Sequence, residues 1–274
     1  FSFNMDGVLQ CAGDTLRSIT VEPMVAFYFL AVGISSFAGN ILILQKACHP
    51  NLTSEPAYDL PCQDEMKAQG IFTSINAWRP FLESFMPLIF VIFLGAWSDT
   101  HGKRRRPMMF IPLAGELLRT AACIYCTYDW RVSPVITAAL ESFIKGISGG
   151  TMCFMFGAQT YITDITTVEQ RTLRLGVMGG MAFIGTPVGM MLGSSLRKYI
   201  GFLNLFYITL SINVVTIVAG VLLVKNTAVE KSELGTFQGL FDATKFLQAV
   251  KTVFKKRTEN KRAIVFMMTS VAPL

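Results

Sequence analysis

Gly95-Ala96-Trp97-Ser98-Asp99-Thr100-His101-Gly102-Lys103-Arg104-Arg105 forms a short polar turn between two apolar runs, residues 80–98 before it and 107–128 after it. Each part of the turn has a physical use. Gly95 ends an apolar run without a side chain, so a neighbouring helix can approach closely. Asp99 sets a carboxylate where it can meet basic side chains or the positive end of a helix, and Gly102 permits a tight turn. The basic residues Lys103, Arg104 and Arg105 could serve simply as a cytoplasmic anchor, but an anchor does not require the spacing of Gly95 and Asp99.

Outward from this turn the apolar pattern repeats. Residues 23–45, 175–196 and 199–224 contain no Asp, Glu, Lys or Arg, and each exceeds the roughly 20 residues that a helix needs to cross about 30 Å of hydrocarbon. Residues 80–98, 107–128 and 132–163 are equally apolar apart from a few charges each. Six spans are expected. The chain has 274 residues, 52% of them hydrophobic and 15% charged, and its mean hydropathy is positive. One or two soluble domains of that length would not need such long uncharged helices. The first twenty residues lack a basic region followed by a short apolar one, so the first span is expected to be retained rather than cleaved. The opening residue, Phe1, suggests that the natural N-terminus lies further upstream.

The net charge of +6 and a pI near 9 raise the question of a nucleic-acid partner. Position answers it. Sixteen Lys and Arg fall in one set of alternate loops and six in the other, and basic residues gather on the cytoplasmic side of membrane proteins. The N-terminus is therefore expected inside, and no nucleic-acid partner is expected. The first outer loop then holds Asn51-Leu52-Thr53, the one glycosylation sequon in the chain. It also holds Cys48 and Cys62 on the oxidising side, either paired with each other or with one reaching a cysteine elsewhere. Cys123, Cys126 and Cys153 lie within spans as small packing residues.

Four regions result: a cytoplasmic segment 1–20, a six-span bundle 21–224, a linker 225–262 and a new apolar run 263–274. The linker places Phe237, Leu240, Phe241, Leu247, Val250 and Phe254 mostly at helical spacing among lysines, as in a basic amphipathic helix on an anionic membrane face. The last run is too short to cross a bilayer and is expected to be a seventh span cut short, in a protein of two halves.

The turn at residues 95–105 resembles the signature of the major facilitator superfamily, Gly-x-x-x-Asp-(Arg/Lys)-x-Gly-(Arg/Lys)-(Arg/Lys), in sequence and in its place between spans two and three; Thr100 departs from it. Val21-Glu22-Pro23, Leu94 to Asp99, Pro107, Arg171-Thr172-Leu173-Arg174, Asn51 and Cys62 together look like the solute-carrier family that contains the proton-coupled folate transporter. The resemblance covers the N-terminal half of that fold. It implies an all-α integral membrane protein with a six-helix N-terminal bundle, and proton-linked uptake of a small organic anion by alternating access. It also implies that Asp99, with Gly95, Gly102, Lys103 and Arg104, acts as a conformational gate against the other half of the chain. Gly179 stands where the folate transporter's fifth-span carboxylate would be, which speaks against folate and against the usual coupling site.

Charges inside spans are costly and mark function, so Glu83, Glu116, Arg119, Glu141 and Lys145 are the candidates for solute and proton. Glu116 with Arg119 and Glu141 with Lys145 share helix faces and can neutralise themselves, as structural pairs or as cavity groups. Glu83 has no partner within a turn and stands as the lone proton carrier, or else near the outer interface. Gly176 and Gly180, then Gly185, Gly189 and Gly193, run at steps of four with Pro187 among them, and Gly146 and Gly150 repeat the spacing. Such a stripe serves static packing or a sliding interface. No catalytic constellation, phosphate loop, cofactor site or metal-ligand set is present in this reading. The solute, protons, lipid and the other half of the chain are the expected partners, in the plasma membrane or alternatively the lysosomal membrane. The rival from another class is a ligand sensor on a transporter fold. Asn51 is expected to carry glycan and the segments around Arg104 and Lys255 to face the cytoplasm; protease protection that puts Arg104 on the side of Asn51 would overturn this topology.

Overall fold

The computed structural model describes residues 20–58, 60–62, 64–100 and 105–224, excepting the side chains of Ala96, Asp99 and Thr100. The expected N-terminal segment up to residue 19, the turn residues Gly102, Lys103 and Arg104, the amphipathic linker and the last apolar run lie outside the described residues. Among the described residues six helical elements follow one another: α1 (Glu22–Cys48), α2 (Glu65–Thr100), α3 (Arg106–Tyr128), α4 (Pro134–Ile147), α5 (Gly150–Ile165) and α6 (Val168–Leu223), the last being two helices joined at a kink. Proline stands in the first turn of α1, α3 and α4, where its missing N–H has no helical partner to lose. Ser133 also caps α4 by accepting from the Ile136 amide at 3.2 Å.

Among the described residues four helical elements are long and apolar enough to cross a membrane, namely α1, α2, α3 and α6. The other apolar stretch read from the sequence, residues 132–163, is interrupted: Gly149 and Gly150 adopt φ of +82° and +49° and divide α4 from α5. Neither part alone is long enough to span. Conversely, α6 holds two of the expected stretches joined at Gly201, where φ 76° and ψ −179° place the backbone in a region that only glycine occupies readily. The second helix begins at Glu65, well before the apolar run from residue 80, and so includes Arg79.

Contacts at the helix ends establish two poles. At one pole Cys48 and Cys62 form a disulfide with Cα atoms 5.0 Å apart, the Trp130 indole donates to the His49 carbonyl at 3.1 Å, and Lys46 donates to the carbonyls of Asp129, Trp130 and Val132. At the other, Arg174 pairs with Glu22 at 2.8 Å and Arg105 with Asp164 at 2.9 Å. Between the poles the inside is mixed and the outside apolar. Tyr28, Phe29 and Phe154 pack in one core cluster, with Tyr28 stacked on Phe154 at 3.9 Å between centroids. Phe183, Met191, Tyr199 and Leu222 are instead exposed by 70% or more. Lipid is the solvent that accepts such a surface, and the protein is a multi-pass membrane protein.

The main packing seam joins α1 to α6. A Cβ at Gly33 would stand 2.3 Å from the Thr186 carbonyl oxygen, and one at Gly189 2.3 Å from that of Leu30. Gly185 and Gly193 meet α1 at Phe29, Ile34 and Phe37, whereas Gly176 and Gly180 have nothing within 4 Å. The glycine stripe is therefore divided: its later part is an internal backbone contact and its earlier part is open. Gly33→Leu and Gly189→Leu are each expected to cost about 1–3 kcal/mol or more through overpacking, while Gly180→Ala should change stability by less than about 0.5 kcal/mol. Thermal unfolding in detergent measures the contrast, and equal effects at Gly189 and Gly180 would contradict the divided stripe.

Candidate functional site

Six ionisable groups meet in the middle of the bundle, three carboxylates and three cations. Arg119 of α3 is 4% exposed and donates to Glu116 one turn earlier at 2.8 and 2.7 Å, to Glu141 of α4, and to the Ser35 hydroxyl of α1. Glu141 uses its second oxygen for Arg79 of α2, 3.1 Å away. Gly39 makes room for this, since a Cβ there would lie 2.7 Å from the Glu141 carboxylate. Arg79 also donates to Glu83 at 2.7 Å and to the Asn40 amide oxygen at 2.7 Å. Lys145 of α4 closes the chain by donating to the other Glu83 oxygen at 2.6 Å, and Ser142 touches the first at 3.4 Å.

Burial divides this network into two layers. Glu116, Arg119 and Glu141 are sealed, with side chains 2–4% exposed. Arg79, Glu83 and Lys145 are 11–21% exposed and line an open cavity of about 390 Å³ together with Asn40, Asn76, Ser84 and Thr151. Glu141 connects the layers, one oxygen to each. The local sequence explains why polar groups gather at this wall. Pro80 lies within α2 and lines the cavity, and its missing N–H leaves the Asn76 carbonyl without its helical donor. The glycine break starts α5 beside Lys145, so the positive end of that helix opens at Thr151 and Met152 in the same wall.

Two sequence expectations are corrected here. Glu141 and Lys145 do not neutralise each other: Arg119 and Arg79 reach Glu141 from neighbouring helices, and Lys145 turns to Glu83 on α2. Nor is Glu83 alone, because Arg79 sits four residues before it on the same helix. That i,i+4 relation was visible in the sequence, but drawing the span from Pro80 hid it. The Glu116–Arg119 pair forms as the spacing predicts. Ser35 and Asn40, which complete the network from α1, had no signal beyond being polar residues in an apolar run.

The remaining predicted residues lie apart. Gly95 faces Phe156 of α5, with 3.6 Å from a built Cβ to the ring. Ser98, next to Asp99 in the sequence, accepts from Arg105 at 3.1 Å. Gly146 packs against the Leu82 carbonyl of α2. Asn51 is exposed in the loop closed by the disulfide. The Glu22–Arg174 bridge, 1% and 4% exposed, is a functional-looking pair that the motif comparison touched without pairing. Cys123, Cys126 and Cys153 are free and buried.

Replacing Arg119 by Met is expected to cost about 3–5 kcal/mol, because the buried Glu116 loses its partner and Glu141 loses one of its two. Double-mutant cycles on unfolding should give coupling of about 1 kcal/mol or more for Arg119 with Glu141 and for Glu83 with Lys145, and a smaller value for Glu141 with Lys145. The reverse order would mean that the intrahelical pairing prevails.

Residues 66–272 match the Major Facilitator Superfamily. Among curated proteins, the tetracycline resistance protein class H of Pasteurella multocida is 30% identical over 115 residues, 42% of this chain and 26% of the relative. The class E tetracycline resistance protein of Escherichia coli is 34% identical over 110 residues, 39% of this chain and 24% of the relative. The matched stretch thus spans about a quarter of each relative's length. With a family match over most of its residues and an inside-out distribution of charge and apolar surface, the chain belongs to the Major Facilitator Superfamily, a family of carriers rather than enzymes.

Proposed function

We propose that this protein is a secondary carrier of a small organic anion, working by alternating access, with one proton moved alongside the solute. The observation that carries the reading is the Arg79–Glu83–Lys145 cluster, ion-paired and yet open to a cavity. An arriving carboxylate competes with Glu83 for the two cations. Glu83, released from both, takes up a proton, and the formal charge of the cluster is the same before and after. The positive end of α5 in the cavity wall favours an anion over a cation. The sealed layer of Glu116, Arg119 and Glu141 serves as the fixed base on which the outer layer exchanges partners.

A second half of the fold would supply the opposite wall of the site, as solute sites in such carriers lie between repeats near the midplane. Asp99, with Gly95, Gly102, Lys103 and Arg104, is proposed as the cytoplasmic gate against that half, and Gly176 and Gly180 as the open face that slides. The likeness to the solute-carrier family of the proton-coupled folate transporter supports the anion and the proton; the relatives named for tetracycline resistance support a small organic solute only in general. The membrane is proposed to be the plasma membrane, with the lysosomal membrane as the alternative.

Uptake of labelled organic anions into vesicles carrying the full-length protein tests this. An inward proton gradient should raise uptake severalfold, and Glu83→Gln should abolish the gradient's effect while solute still binds. In the same membranes Asp99→Asn should lower turnover far more than affinity. Uptake indifferent to the gradient in the unaltered protein would overturn the proton coupling, and binding without any uptake would favour the sensor reading.

A further inference from the structure

A second charged cavity lies at the pole of the disulfide, with none of its lining residues shared with the central one. It encloses about 470 Å³ and is lined by Glu55, Tyr58, Arg197, Lys198 and Gly201 among others. Arg197 lies over two aromatic rings, 4.3 Å from the centroid of Phe202 and 5.2 Å from that of Tyr58. Among the described residues the side chains of Arg197 and Lys198 make no hydrogen bond or ion pair, and Glu55 attracts the Arg197 charge only from a distance. The guanidinium donors therefore remain available in a pocket whose rim is aromatic, an arrangement that suits a planar carboxylate.

The pocket already holds one carboxylate of the protein's own. Glu55 Oε1 accepts from the Phe202 amide at 2.6 Å, at the start of the helical segment after Gly201. The positive φ of Gly201 and its missing side chain allow this approach, since a Cβ there would stand 3.0 Å from Glu55 Oε1. Two cations thus face one internal anion. Among the described lining residues the cations outnumber the carboxylate by one, and Tyr58, 49% exposed, offers a ring beside them.

We infer that this cavity is an outer-pole binding site for a small aromatic carboxylate, held by Arg197 and Lys198 against Tyr58, with Glu55 as the tethered competitor. The site is independent of the central network in its residues. It rests on the transport reading only for its use, which is to capture solute before it enters the central cavity. Its charge selects carboxylates over neutral isosteres, and Glu55 keeps affinity low enough for release.

The test uses the full-length protein in phosphatidylcholine nanodiscs, with benzoate as probe and benzamide as its neutral counterpart, read by ligand-observed NMR titration. In a Lys145→Met background, which removes one of the two cations that face the central cavity, benzoate should still bind and benzamide should not. Adding Arg197→Gln with Lys198→Gln should weaken benzoate at least tenfold, whereas Glu55→Gln should tighten it severalfold. If the double variant does not fold, Lys198→Gln alone, at an exposed position, should weaken binding about threefold by loss of one exposed charge. Unchanged affinity without Arg197 and Lys198, or weaker binding in Glu55→Gln, overturns the site. Benzoate binding abolished by Lys145→Met alone overturns it too, while leaving the central reading intact. Binding at this site in a protein that takes up no solute would instead support the site and remove the transport reading.

Discussion

A guanidinium buried in the middle of a membrane bundle constrains everything placed around it. Arg119 cannot lose its proton, and an unpaired charge in that environment costs several kcal/mol. Its neighbours are arranged accordingly: Glu116 from its own helix, Glu141 from the next, Ser35 from the first. Once Glu141 is drawn in, its second oxygen requires a cation, and Arg79 supplies it. Arg79 brings Glu83, and Glu83 brings Lys145. The order of helices around the centre thus follows from successive neutralisation, and the last members of the series are those that still meet water. A charge network with one sealed end and one open end can exchange partners at the open end without disturbing its base.

Packing keeps that network in register. The contact of Gly33 with Gly189 brings the backbones of α1 and α6 together where lipid exerts no hydrophobic push between helices. With α6 seated on α1, the Arg174–Glu22 bridge closes at one pole and the Glu55–Phe202 contact at the other. The disulfide between Cys48 and Cys62 holds the loop that carries Glu55. Both halves of α6 are therefore tied to α1 or to the loop after it, and Gly201 is the joint between them.

The break between α4 and α5 shows the opposite use of glycine. In lipid an interrupted helix leaves backbone groups unsatisfied unless they are buried in protein or line a watered cavity. Here the interruption falls beside Lys145, Thr151 and Met152, in the wall of the central cavity. Interruption and ionisable cluster coincide, which is the pattern that places solute sites in carriers built from discontinuous helices.

The membrane class, the approximate positions of the apolar stretches and the likeness to the superfamily were determined by the sequence alone. Uncharged runs such as 175–196 have no other stable setting, and the spacing of Gly95 and Asp99 is local. The Glu116–Arg119 pair was legible for the same reason, because three residues along a helix fix which side chains meet. Tertiary structure decided the rest of the site. Whether Glu141 pairs with Lys145 or with Arg119 depends on which helices lie beside α4, and no spacing along one helix contains that information. The same holds for the glycine stripe, whose later members meet α1 while Gly176 and Gly180 stay open. Residues four apart share a helix face, but a long helix presents that face to different neighbours along its length, and those neighbours are set only when the bundle closes.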